Sequence, residues 1–376
     1  MIPAILKEGV ELDILVSGTQ ADIPLPFEIK YRFWGLSFIF GKQGGIDFWK
    51  TYLNANTLRT QKELRNLPVQ EYDLVLNDFE PISAWACKLK GIPCIGVSHQ
   101  AAVLSPHAPQ PERKDPLGMF ILRNYAPTSH QFGFHFQAYE PSMFTPIIRK
   151  GIRELHTRSG NHYTVYLPAY SDRRIVSVLS QVPGVRWEVF SKHNTQAFVH
   201  QNVRVRPINH EGFLESITSC RGVLCAAGFE TPAEALYLGK KVCVIPMKNQ
   251  LEQQCNAVAL SDMGVPVLQG FNDQAVPELS DWIASDQEVE VDYGDIASEV
   301  VSRVLEAHAP EGEHRHRQLG AAETTDRQHQ GRARGRIRPG REGVGRPRLI
   351  LSSPHDKQAC SVSSDGRWIL YQAVPE

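Results

Sequence analysis

The sequence predicts an α/β protein built from two doubly wound domains, each with a parallel β-sheet covered by helices. Short β-branched or apolar segments alternate with helical patterns along most of the chain, as they do in βαβ units. The length of 376 residues suggests two domains and a remainder. With 42% hydrophobic and 22% charged residues, the composition is that of a globular protein with sizeable cores.

Each predicted strand is a short apolar segment that ends at a polar or glycine-containing turn. The strands are predicted at residues 11–16, 74–76, 94–97, 163–167, 187–190, 203–206, 223–226 and 242–245. The helices between them carry apolar residues three and four positions apart. They are predicted at residues 82–89, 172–181, 212–218, 231–238, 250–263 and 296–307.

The domain boundary is predicted where the alternation of strands and helices pauses. Pro141 and Pro146 precede a short basic helix at residues 147–156, and a new strand follows. We therefore assign residues 1–146 to an N-terminal domain and residues 147–309 to a C-terminal domain.

The composition changes abruptly in the remaining segment, residues 310–376. Residues 327–348 contain eight Arg, one Glu and no Lys, interleaved with Gly and Pro. Such a segment buries too little apolar surface to fold, which predicts either a disordered tail or an artefact of a shifted reading frame. An RNA-binding tail is the functional alternative, although residues 327–348 hold no aromatic ring for base stacking.

Charge and cysteine content narrow the class of protein. The formal net charge of −1 gives the whole chain no electrostatic preference for nucleic acid, so a nucleic-acid partner is not expected. The seven cysteines include no Cys-x-x-Cys pair, which favours reduced thiols and a cytoplasmic location. The sequence contains no stretch of 18 apolar residues of the kind that spans a membrane.

A strand followed by a capped helix predicts an anion-binding site in the second domain. Residues 223–226 form the strand and residues 227–230 a glycine turn. Thr231 as N-cap, Pro232 in the first helical position and Glu234 three residues after Thr231 make a capping box. The helix N-terminus would direct backbone N–H groups and a positive dipole end at a pyrophosphate. Glu234 is interpreted either as a ligand contact or as the capping partner alone.

The next strand, at residues 242–245, leads into a second polar cluster. Its amide and carboxylate side chains are Gln250, Glu252, Gln253 and Asn256. These groups can form the paired hydrogen bonds that recognise the hydroxyls of a sugar or a ribose.

Two polar clusters follow strands of the N-terminal half, at residues 77–81 and 91–100. Asp78 and His99 are the candidate proton carriers, although each could equally be a hydrogen-bonded loop residue.

Nine aromatic residues lie within residues 27–52. That segment is interpreted either as a lip for a lipid-linked acceptor at the membrane surface or as an irregular packed loop.

Three segments, 228–236, 239–247 and 250–257, resemble in order and spacing the donor-binding half of GT-B glycosyltransferases. The closest resemblance is to uncharacterised prokaryotic relatives of the N-acetylglucosaminyltransferase of peptidoglycan synthesis, and it covers residues 1–308. It implies two Rossmann-like domains that face a cleft and bind a UDP-sugar without an obligatory metal or other cofactor. The implied reaction is sugar transfer to an acceptor hydroxyl.

The resemblance also implies roles for particular residues. Gly228 and Thr231 would lie at the diphosphate, and Glu234 would bind the ribose hydroxyls. The residues expected near the transferred sugar and its adjoining helix are Gln250, Glu252, Gln253 and Asn256.

One departure from the family concerns the first strand and its glycine-rich loop, because we expect the chain to start after both. We therefore expect residues 11–16 and 74–76 to be inner strands without a partner between them, and sugar transfer to be poor or absent. A UDP-sugar epimerase or an inactive sugar-nucleotide-binding protein on the same scaffold are the alternatives.

Overall fold

The computed structural model describes residues 1–18, 27–34, 57–113, 115–158, 160–286, 288–308 and 348–354. In the first half, the helices are α1 (Ile2–Lys7), α2 (Thr57–Asn66), α3 (Pro81–Lys90), α4 (His99–Val103), α5 (Pro116–Tyr125) and α6 (Lys150–Arg153). The strands there are β1 (Glu11–Ser17), β2 (Tyr31–Phe33), β3 (Leu74–Asn77), β4 (Cys94–Ser98), β5 (His130–Phe134) and β6 (Met143–Phe144).

In the second half, the helices are α7 (Asp172–Leu179), α8 (His210–Ser219), α9 (Glu230–Tyr237), α10 (Leu251–Asp262), α11 (Ala275–Ala284) and α12 (Ala297–His308). The strands are β7 (His162–Tyr166), β8 (Arg186–Ser191), β9 (Phe198–His200), β10 (Val203–Pro207), β11 (Gly222–Ala226), β12 (Lys241–Ile245) and β13 (Arg348–Pro354). Among the described residues, none of these helices is long and apolar enough to cross a lipid bilayer.

The strands form two separate sheets. The first has the order β2-β1-β13-β3-β4-β5-β6, and each neighbouring pair in it is parallel. The second has the order β12-β11-β7-β8-β10-β9, in which only β9, at the edge, is antiparallel to its neighbour. Because parallel strands need helical crossovers, the predicted α/β fold with two doubly wound domains is confirmed.

Each predicted strand is present, with ends that differ from the prediction by no more than one residue. The strands missed from the sequence are β2, β5, β6, β9 and β13. Most of these have two to five residues, which is too short for an alternating pattern to be recognised.

The predicted basic helix at residues 147–156 is wrong in extent, because only Lys150–Arg153 is helical. The first sheet's last strand in the N-terminal half ends at Phe144 and the second sheet begins at His162, so the boundary at 146/147 stays a prediction.

The centre of the first sheet differs from the sequence-based expectation. Strand β13, from the segment predicted as a tail, lies between β1 and β3 and pairs with both in parallel register. Leu349 and Leu351 pack into the core on one face of the sheet, and Ile350 packs into the core on the other. A strand buried on both faces in this way is typical of the inside of a parallel sheet. The expectation that β1 and β3 lack a partner is therefore wrong, and so is disorder for residues 348–354. The rest of the predicted tail and residues 35–52 lie outside the described residues.

The largest hydrophobic core runs through both sheets and joins the two halves of the chain. It includes Ile2 and Ile5 of α1 together with Val300 and Val304 of α12, so the last described helix of the second half packs on the first helix of the chain. A second core, centred on the fully buried Trp187, fills the space between the second sheet and helices α7 and α11. The first of these cores therefore contains residues of both sheets and holds them together.

Candidate active site

The segments that follow the strands of the two sheets contact each other around His99. This residue follows β4 and opens α4, and its side chain is buried. Its ring stacks on Phe229 of the second sheet's β11–α9 turn, with the ring centroids 4.0 Å apart and the planes at 8°. Gln100, the next residue, donates a hydrogen bond of 3.2 Å from Nε2 to Glu252 Oε2 on α10. The structure therefore brings the predicted residues His99, Glu252 and Asn256 together between the two domains.

Both ring nitrogens of His99 face oxygen acceptors. Nδ1 lies 2.7 Å from the carbonyl oxygen of Phe134, and Nε2 lies 2.8 Å from Asn256 Oδ1. The orientation of the Asn256 amide follows from its Nδ2, which donates to the carbonyl oxygen of Ala227 at 3.1 Å. Both contacts of the imidazole are hydrogen bonds only if both nitrogens carry a proton, so the geometry favours the imidazolium.

The environment of His99 agrees with a positive charge. Glu252 Oε1 lies 3.9 Å from His99 Nε2. The neighbouring His135 is fully buried, and its Nδ1 accepts the backbone N–H of Phe136. Burial, and secondly the proximity of His99, lowers the pKa of His135 to about 3, so this ring is neutral near pH 7. An imidazolium that donates from both nitrogens has no lone pair with which to accept a proton from a substrate.

Asp78 lies one strand away, immediately after β3. It is buried, its backbone N–H donates to the carbonyl oxygen of Ser352, and its Oδ2 accepts from Ser353 Oγ at 3.1 Å. The next residue, Phe79, has a backbone φ of +56°, an uncommon value for a residue with a side chain. Glu80, part of the same polar cluster, does not face the cleft: it is fully buried and caps α3 by accepting from the N–H groups of Ile82 and Ser83.

The turn between β11 and α9 is the candidate diphosphate site. The predicted capping box is wrong, because α9 begins at Glu230 with Phe229 as N-cap, and Thr231 lies within the first turn. Phe229, as N-cap, provides no side-chain hydrogen bond to this helix end. A Cβ atom added to Gly228 would meet nothing within 4 Å, so the turn has open space beside it. An uncapped helix N-terminus beside open space favours an anion.

Glu234 forms an ion pair that the sequence did not reveal. Its two carboxylate oxygens accept from Arg149 Nε at 2.5 Å and from Arg149 Nη2 at 2.7 Å, a bidentate geometry. Both side chains are largely buried, at 14% exposure for Arg149 and 8% for Glu234. Arg149 lies in the segment between the two sheets, 85 residues earlier, and no local pattern marks it as a partner. Glu234 is therefore held by an ion pair rather than by a helix cap.

The amide cluster at the start of α10 divides into two groups. Gln253 Oε1 accepts the backbone N–H of Met247, and Asn256 bridges Ala227 and His99, so these two side chains hold neighbouring loops in place. Gln250 differs, because its buried Oε1 has no hydrogen-bond partner among the described residues. It follows Asn249, whose φ is +59°. A buried amide oxygen without a partner is expected to accept a hydrogen bond from a ligand or a water molecule.

Two strained turns therefore flank the candidate site. Three non-glycine residues in the described part of the chain have a positive φ, and two of them, Phe79 and Asn249, lie next to Asp78 and Gln250. Backbone strain of this kind clusters at functional sites. No group of three or more His, Cys, Asp or Glu side chains in the described residues is arranged to hold a metal ion.

Comparison with known proteins identifies the family. The model of Glycosyl transferase family 1 matches residues 2–284, which is most of the chain. No curated protein matches the sequence.

Several solved structures are similar in fold. Arabidopsis thaliana UGT89C1 complexed with UDP is 12% identical, with a TM-score of 0.52 over 82% of this chain and 89% of that one. MurG of Acinetobacter baumannii is 13% identical, with a TM-score of 0.44 over 82% and 99% of the two chains. The glycosyltransferase SnogD of Streptomyces nogalater is 12% identical, with a TM-score of 0.43 over 79% and 99%.

The fold predicted from the resemblance, GT-B with two Rossmann-like domains, is confirmed by the two parallel sheets and by the likeness to the Arabidopsis structure. The family model covers both of these sheets except for β13. The chain therefore belongs to glycosyl transferase family 1.

Proposed function

We propose that this chain transfers a sugar from a UDP-sugar to an acceptor hydroxyl, with the donor bound between the two sheets. The observation that carries the proposal is the β11–α9 turn, where an uncapped helix N-terminus meets open space beside Gly228. The similar Arabidopsis protein is complexed with UDP, which supports a uridine nucleotide as the ligand. Gly228 and Thr231 would contact its diphosphate through backbone and hydroxyl groups.

The reaction requires a base, a stabilised leaving group and a fixed donor. The acceptor O–H bond breaks as its proton passes to the base, and the acceptor oxygen bonds to the anomeric carbon of the sugar. The bond from that carbon to the diphosphate oxygen breaks, and UDP leaves with the electron pair. The positive end of the α9 dipole stabilises the charge that develops on the diphosphate, so we propose that no obligatory metal is needed.

Asp78 is the better candidate for the base. Its carboxylate is an acceptor at the carboxyl end of a central strand, where ligands of open α/β sheets bind. Both ring nitrogens of His99 already contact oxygen atoms, and the contact with Asn256 links the two domains. Gln250 and Glu252 would face the transferred sugar, whereas Gln253 and Asn256 would support the loops around it.

Binding of UDP is expected to raise the melting temperature more than ADP or GDP at the same concentration. A ligand that binds only the native state stabilises it by mass action. The measurement is a thermal unfolding curve with each nucleotide, repeated with EDTA, which is expected to leave the effect of UDP unchanged. Equal shifts with the three nucleotides would exclude a uridine-specific site, and loss of the shift in EDTA would show that a metal is required.

The Glu234→Gln variant is expected to bind UDP roughly 10–100-fold more weakly, since a hydrogen bond to a charged group contributes about 1.5–3 kcal/mol. The ribose hydroxyls would donate to the carboxylate that Arg149 holds in place. The measurement is the Kd for UDP by calorimetry, with Glu278→Gln as control because Glu278 is an exposed residue of the distant α11.

The Arg149→Met variant tests whether Glu234 binds the ligand or serves only the stability of the fold. If Glu234 serves only the ion pair, Glu234→Gln and Arg149→Met will both lower stability and leave the Kd for UDP unchanged. That pair of results would contradict the ribose role.

A further inference from the structure

We propose that strand β13 supplies a positioning residue to the cleft: the hydroxyl of Ser353 fixes the carboxylate of Asp78 for proton transfer. The inference rests on the proposed function, in which Asp78 is the base. It assigns a role in the reaction to a segment that lies outside the residues matched by the family model.

Register brings the two residues together. Ser352 of β13 pairs with Asn77, the last residue of β3, so Ser353 and Asp78 are the next residues along these two segments. The backbone N–H of Asp78 donates to the carbonyl oxygen of Ser352 at 2.8 Å, which extends the ladder by one bond. Ser353 Oγ then donates to Asp78 Oδ2 at 3.1 Å.

The two serines of β13 do different things because successive side chains of a strand point to opposite faces. Ser352 is fully buried on the face of Ile350, where its Oγ accepts from Ser83 Oγ at 2.6 Å and from Asn77 Nδ2 at 3.2 Å. Ser353 is only half-buried, lies on the other face, and bonds to Asp78. Ser352 therefore belongs to the internal packing of the sheet, whereas Ser353 contacts the side chain of Asp78, just beyond the end of β3.

A hydrogen bond from Ser353 restricts rotation of the Asp78 carboxylate. Proton abstraction requires a base within hydrogen-bonding reach of the acceptor hydroxyl, and small misplacements of reacting groups cost rate. The backbone bond from Asp78 to Ser352 fixes the main chain, and the Ser353 hydroxyl fixes the side chain. Loss of this hydroxyl should slow the chemical step without changing how the donor binds on the other sheet.

The test compares Ser353→Val with Ser353→Thr in the full chain. The two side chains have nearly the same shape and the same β-branching, but only Thr keeps the hydroxyl, so effects on the strand are matched. The assay follows UDP release from UDP-glucose and from UDP-N-acetylglucosamine with water as acceptor, and calorimetry gives the Kd for UDP. Thermal unfolding of both variants reports on the sheet.

The expected result is a fall of about tenfold or more in kcat for Ser353→Val, with kcat close to wild type for Ser353→Thr and equal Kd values for UDP. Equal kcat values in the two variants would overturn the inference while leaving the proposed function intact. A loss in Ser353→Val that follows a lower melting temperature and a weaker UDP affinity would also overturn it, because the hydroxyl would then serve only the fold. A wild-type chain that binds UDP but releases none from either donor would contradict the proposed function itself.

Discussion

Replacing Asp78 by Asn is expected to lower the rate of sugar transfer about 10²–10⁴-fold, the range over which a general base contributes. Asn has nearly the same shape as Asp, and its amide can keep the hydrogen bond from Ser353, so the fold around β3 should persist. The carboxylate that takes the acceptor proton is lost. The affinity for UDP should be unchanged, because the donor site lies on the other sheet.

The control for this substitution is Asp281→Asn on α11, an exposed position in the donor half of the chain. It should leave both the rate and the UDP affinity at wild-type values. His99→Asn is the informative comparison, since it removes one of the bonds between the domains. If Asp78→Asn keeps at least half of the wild-type rate while His99→Asn loses most of it, His99 is the base, and its protonation in this geometry changes when the donor binds.

The sequence predicts the elements of this fold well because the signal is local. A buried strand such as β11 is an uninterrupted apolar segment, and the glycine turn after it follows from the same few residues. The start of α9 is less accurate, since tertiary contacts decide it. Phe229 stacks on His99 from the other domain, and the helix begins at the following residue instead of at Thr231. A capping box within the segment 231–234 could not reveal this contact.

The arrangement of the site depends on contacts that are distant in sequence. Arg149 and Glu234 are 85 residues apart, and His99 and Asn256 are 157 apart. The residue types at the cleft could be predicted, because polar groups at the carboxyl ends of parallel strands meet at one edge. Which of them bind each other could not be, and for that reason Gln253 and Asn256 were expected at the sugar although their amides bond to neighbouring loops and to His99.

Strand β13 was missed for a different reason. Its apolar residues, Leu349, Ile350 and Leu351, follow a segment so rich in Arg and Gly that composition predicted disorder throughout. Composition averages over a window, whereas a central strand needs only a few consecutive apolar residues and two neighbours with unpaired backbone groups. β1 and β3 offer those groups, since each forms a parallel ladder with β13.

Ile350→Asp is therefore expected to destabilise the protein by roughly 4 kcal/mol or more. Truncating a buried Ile costs about 2–5 kcal/mol, and an unpaired carboxylate in an apolar core adds to that cost. Ile350 is fully buried among residues of β1, β3 and α3. A loss of this size is a large fraction of the roughly 5–15 kcal/mol that stabilises a typical native protein.

The matched control is Val199→Asp on β9, where the side chain is 68% exposed at the edge of the second sheet. Surface substitutions of this kind usually change stability by no more than about 0.5 kcal/mol. Urea unfolding gives the free energy for each variant, and hydrogen exchange shows where the loss occurs. In Ile350→Asp, exchange should accelerate in β1 and β3, because their amides lose the ladder with β13, and should change less in β11 and β12. If Ile350→Asp unfolds at the same urea concentration as Val199→Asp, β13 does not hold the centre of the sheet in solution, and the Ser353 contact with Asp78 has no basis.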